Sequence, residues 1–75
     1  MNFMPLAFAQ PGKEVELVGV RAGWGLQRKL ADMGLLPGTR VRVMNSGPGP
    51  VLIDLMGARL ALGHGVALKI LVKEV

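Results

Sequence analysis

The chain has no cysteine, no tyrosine, and only one tryptophan, one histidine and one serine in 75 residues. Each scarcity excludes something. Without Cys there is neither a disulfide nor a thiolate zinc site, the two common staples of very small domains, so stability has to come from packing. The same lack fits a reducing cytoplasm. With His64, Ser46 and no Cys, no Ser/His/acid or Cys/His constellation can be assembled. Asp32, Asp54 and the glutamates show no spacing that pairs two carboxylates beside a pocket, so no catalytic residue is expected. The aromatics are Phe3, Phe8 and Trp24 alone. They are too few for a groove that reads proline-rich helices or for a platform that stacks single-stranded nucleic acid.

Long apolar runs are missing too. No stretch approaches the roughly 20 apolar residues that span a bilayer, so the chain is not expected to cross a membrane. The N-terminal MNFMPLAFAQ has Pro5 and no basic n-region, and reads as mature structure rather than a signal sequence.

What is present is a globular composition. At 51% apolar and 19% charged residues the chain lies on the folded side of the boundary with disorder. Its length makes residues 1–75 a single domain, without room for a deep active site. Nine Lys/Arg against five Asp/Glu give a net charge of +4, which favours an acidic partner. The charges are scattered singly and form no basic run, so no specific nucleic-acid partner is expected.

Periodicity outlines the elements. After a short PLAFA segment and a Pro11-Gly12 turn, Val15 and Leu17 alternate with Glu14 and Glu16 as in a strand. In GWGLQRKLADMGLL the period lengthens: Leu26, Leu30 and Met33 share one helical face, with Arg28 and Asp32 opposite. Gly34 is placed to end this helix in the left-handed conformation, Leu35 to pack back on Leu30, and Pro37 to prevent resumption. Val41 and Val43 then alternate with Arg40 and Arg42, and Val51, Ile53 and Leu55 with Leu52, Asp54 and Met56. Gly57-Ala58 suits a type II′ turn into RLAL. GHGVA reads as a flexible corner, and in the last strand Leu68, Ile70 and Val72 are assigned inward. About five short strands with one helix inserted after the first of them indicate an all-β, small SH3-like antiparallel barrel. An oligonucleotide-binding barrel is the nearest competitor, though its longer strands demand more chain.

The Gly-Pro loop at residues 46–50 cannot serve as a phosphate cradle, because Pro48 and Pro50 each delete an N–H donor and no P-loop Lys follows. It reads as a rigid hairpin connector. His64 stands alone, and the five methionines show no ligand spacing, so neither a metal site nor a cofactor is indicated. Surface chemistry remains. Alternation sends Leu52, Met56 and Leu71 to outward faces, which either the helix covers or a partner contacts; in the second case Leu52 and Met56 form an apolar strip, with Arg40 and Arg42 as a basic rim on the neighbouring strand.

RKLADMGLLPGTRVRV followed by GPGPVLIDLMGARLALGHGVALKILV resembles the ferrous iron transport protein A family, FeoA. The resemblance runs from Leu6 to Val72. It is carried by Leu30, Met33-Gly34-Leu35, Pro37-Gly38, Gly47-Pro48, Gly57, Leu60, Leu62, Gly63, Ala67 and Ile70. It implies a cytoplasmic SH3-like barrel, akin to the domain appended to iron-dependent repressors, with no enzymatic activity. It also implies a partner: the membrane ferrous iron transporter FeoB, through its cytoplasmic part. No metal-ligand motif of the family maps onto this chain. Two roles follow, an interaction module that acts on the transporter, or a metal- or small-ligand-sensing regulatory module.

Overall fold

The computed structural model describes residues 3–46 and 48–75. Six strands form one antiparallel sheet: β1 (Phe3–Pro5), β2 (Glu14–Val20), β3 (Arg40–Asn45), β4 (Val51–Leu55), β5 (Ala58–Leu62) and β6 (Ile70–Glu74). Their order across the sheet is β1-β6-β2-β3-β4-β5, which places the last strand between the first two. Helix α1 (Trp24–Asp32) links β2 to β3, and a single turn, α2 (His64–Ala67), links β5 to β6.

The two-residue period puts the core on one face of the sheet. Val15, Leu17, Val41, Val43, Val51, Ile53, Ile70 and Val72 are buried, whereas the intervening Glu14, Arg40 and Arg42 are exposed. The sheet is bent by two irregularities, between Leu17 and Gly19 in β2 and between Val43 and Asn45 in β3. Bulges of this kind add local twist, which is how so short a sheet curls around its own core. Leu6, Ala7 and Ala9, from the 3-10 turn that follows β1, are buried in the same core, with Ala67 of α2 beside that turn.

Three expectations need correction. The sheet has six strands, because Phe3–Pro5 adds a short edge strand to β6. The GHGVA corner is a helical turn rather than a flexible loop, with the Ala67 and Leu68 N–H groups donating to the Gly63 and His64 carbonyls at 2.9 and 3.0 Å. Leu68 falls in the turn before β6 and is exposed, so inward packing begins only at Ile70.

The end of α1 follows from its sequence. The Leu35 N–H donates to the Leu30 carbonyl at 2.9 Å and the Gly34 N–H to the Ala31 carbonyl at 2.9 Å, the paired bonds of a Schellman cap. Gly34 has φ +91°, and Leu35 and Leu30 are both buried in the core. A type II turn follows at once. Pro37 precedes Gly38, whose φ is +91°, and the Thr39 N–H closes the turn on the Leu36 carbonyl at 3.0 Å. Gly34→Ala should cost about 1 kcal/mol, because L-residues resist this φ and the new Cβ would lie 3.2 Å from Leu55 Cδ2. In a domain this small that is a fall in Tm of roughly 4–8 °C; an unchanged melting curve would contradict the cap.

Candidate partner-binding surface

The outward face of the sheet carries half of the charged residues, in rows set by strand register. Arg42 stands opposite Glu14 on one side and Asp54 on the other, and Asp54 in turn opposite Arg59. In the adjacent row Arg40 faces Glu16, which also faces Lys73. Arg40 Nε lies 3.6 Å from Glu16 Oε1, and Lys73 Nζ 3.9 Å from Glu16 Oε2. Arg40 and Arg42 are therefore interleaved with carboxylates and do not form the purely basic rim that local alternation suggests. Opposite charges across strands contribute to the sheet, and these exposed pairs are each worth little.

The expected Leu52–Met56 strip does not exist as drawn. β4 ends at Leu55, and the turn is Met56-Gly57 rather than Gly57-Ala58. Both turn residues have positive φ, 52° for Met56 and 92° for Gly57, the signature of a type I′ turn, and Asp54 Oδ1 accepts the Gly57 N–H at 2.7 Å. Met56 therefore projects from the hairpin tip, 96% exposed, against a shallow depression bordered by Glu14, Arg40, Arg42 and Asp54. Leu52 sits at the other end of β4, half-buried, opposite Ala61 and Asn45. By strand rise the two residues are about 13 Å apart.

Met56 occupies a position for which Asn and Gly are preferred, since a left-handed backbone crowds its Cβ. Replacing it with Asn should raise Tm by a few degrees, because Asn-Gly is the favoured type I′ pair. A melting temperature that falls would contradict the turn assignment.

The structure contains a more extensive apolar surface, on the far side of α1. Leu26, Leu30 and Met33 turn toward the core, which leaves Trp24, Arg28 and Ala31, at i, i+4 and i+7, on the opposite face. Together with Val20 of β2 and the Leu35-Leu36-Pro37 segment they line an open cleft of about 630 Å³. Leu35 is buried at its base, while Trp24 and Leu36 are 61% and 50% exposed. The Arg28 guanidinium lies over the Trp24 ring, 5.5 Å from its centroid. Gln27, also in the lining, is tied down by its Nε2, which donates to the Ala22 carbonyl at 2.7 Å. The Schellman cap and the type II turn fix the other wall, because Leu36 and Pro37 lie between Gly34 and Gly38. The structural residues Leu30, Gly34, Pro37 and Gly38 thus also shape this cleft.

Other candidates are placed more simply. His64 is exposed at the start of α2. Among the described residues no three of His, Cys, Asp and Glu gather where they could hold a metal ion. No helix formed by them is long and apolar enough to cross a membrane. In the Gly-Pro loop Ser46 Oγ donates to the Ala9 carbonyl at 2.7 Å, which ties the loop to the N-terminal segment, and Gly49 has φ +102°. Gly47 lies outside the described residues.

A small antiparallel sheet of six short strands, bent by two irregularities and packed with one short helix, is an SH3-like domain. Comparison with known proteins assigns it further. The FeoA domain matches residues 4–74, and the chain belongs to that family. A protein of Methanocaldococcus jannaschii, provisionally named Fe(2+) transport protein A, is 40% identical over 70 residues, covering 93% of this chain and 85% of the relative. Among solved structures, the crystal structure of an iron uptake regulatory protein (FeoA) superposes with a TM-score of 0.91 at 35% identity, over 99% of this chain and all of the other. A FeoA-like protein from Clostridium acetobutylicum gives a TM-score of 0.85 at 26% identity, over 100% of this chain and 90% of its own. A manganese-dependent transcriptional repressor shares the fold, with a TM-score of 0.89 at 22% identity, but only 38% of its chain is covered.

Proposed function

We propose that this protein is a small cytoplasmic accessory protein of ferrous iron uptake. It is a non-catalytic interaction module that acts on the cytoplasmic part of the membrane iron transporter FeoB. Family membership supports the process. The observation that supports docking is the cleft beside α1, where the exposed Trp24 and Leu36 gather with Val20, Leu35 and Pro37 in one concave lining. Exposed apolar surface of this sort, with an aromatic anchor and a polar rim, is what protein contacts use. Met56, with Arg40 and Arg42 beside it, is a second contact in this reading. Leu52 is not part of it.

Docking predicts co-purification with the detergent-solubilised transporter, compared with and without guanine nucleotide. Retention in at least one nucleotide state is expected, and absence in all of them would overturn the reading. Calorimetry of the isolated domain with ferrous iron separates the sensing alternative: the docking module should give no tight site, whereas stoichiometric micromolar binding would favour a metal-sensing role.

A further inference from the structure

The cleft also specifies its occupant, and on the reading that it is a docking surface we propose that it takes an apolar segment of a protein partner bearing a carboxylate beside a large aliphatic side chain. Arg28 is the one charged residue of the lining. Its guanidinium lies over the Trp24 ring, and among the described residues the ion pairs that form, Arg40–Glu16 and Lys73–Glu16, do not involve it. A guanidinium held against an aromatic face keeps its in-plane donors for a planar acceptor, and a carboxylate is the protein group that matches that fork. The rest of the lining is apolar apart from Gln27, whose amide already donates to the Ala22 carbonyl. Val20, Ala31, Leu35, Leu36 and Pro37 can therefore receive an aliphatic side chain while Arg28 receives the charge. The whole chain carries a net charge of +4, which steers an acidic segment toward it. A proline-rich helix is a poor occupant, since that mode needs several aromatic rings and this cleft has one.

Trp24 is the chain's sole tryptophan and reports directly on the cleft. A displayed library of random seven-residue peptides, panned against the folded domain, tests the inference without the transporter. Recovered peptides are expected to carry Asp or Glu adjacent to Leu, Ile or Met and to shift the Trp24 emission. They should bind about tenfold more weakly to Arg28→Gln, as loss of a charge-assisted pair requires. Arg28→Lys should recover only part of the affinity, because an ammonium lacks the fork. Failure to enrich any peptide, enrichment of peptides without acid, or binding that leaves the Trp24 emission unmoved would each overturn it. So would binding of vesicles of phosphatidylcholine with one-third phosphatidylserine through the same residues, which would make the occupant a lipid surface. The transporter separates the two ideas. If acidic peptides bind but the transporter does not co-purify, the iron-uptake reading fails and the cleft assignment stands. If the transporter is retained equally by wild type and Arg28→Gln, the carboxylate assignment fails alone.

Discussion

Leu6→Ala should bring this domain close to unfolding at physiological temperature. Leu6 is completely buried and belongs to the short 3-10 turn after β1, so its side chain fills the core from a segment with few bonds of its own. Truncating a fully buried Leu to Ala typically costs 2–5 kcal/mol, from lost transfer energy and the residual cavity. A chain of this length has a total stability of about 4–11 kcal/mol, so the loss is a large fraction of the whole. Thermal unfolding followed by circular dichroism should show Tm lowered by on the order of 15 °C. A fall of only a degree or two would mean that the N-terminal segment is an appendage rather than part of the core.

The second large effect concerns binding and leaves the fold intact. Leu36→Glu introduces a charge at a half-exposed wall of the cleft and leaves the backbone bonds of Leu36, its carbonyl to the Thr39 N–H and its N–H to Thr39 Oγ1, available as before. Stability should stay within about 0.5 kcal/mol of wild type, as for other surface substitutions. Association with the transporter should weaken by a hundredfold or so, because the carboxylate both removes apolar contact and repels the acidic segment expected there. Trp24→Ala should weaken it similarly by removing the largest apolar group of the site.

Much of the architecture can be read in local sequence, and the failures share a cause. The helix stop at Gly34-Leu35 and the Pro37-Gly38 turn are written in consecutive residues, and the structure forms both. So are the inward valines of β2, β3 and β4. The alternation of β4 continues through Met56, however, and Gly57 suits either the first or the second position of a tight turn. Only the pairing of Leu55 with Ala58 places the turn one residue earlier. The strip drawn through Leu52 and Met56 failed for that reason. Arg40 and Arg42 look like a basic rim until long-range register sets Glu16, Glu14 and Asp54 beside them. The cleft was hidden for a related reason. Trp24, Arg28 and Ala31 do recur at helical spacing, which is a usable signal, but Val20 and the Leu35-Leu36-Pro37 wall join them only when α1 packs on the sheet. Phe3–Pro5 and Leu6 lack any period at all, so neither the pairing of Phe3–Pro5 with β6 nor the burial of Leu6 could be anticipated from pattern.

On the docking proposed above, the cleft beside α1 is where this protein meets FeoB. Quantitative co-purification of FeoB with tagged wild-type and Leu36→Glu protein, each first shown to be folded by circular dichroism, tests it most directly. We expect wild type to retain the transporter and Leu36→Glu to lose it. Equal retention by a folded Leu36→Glu variant would contradict the claim and move the contact elsewhere on the barrel.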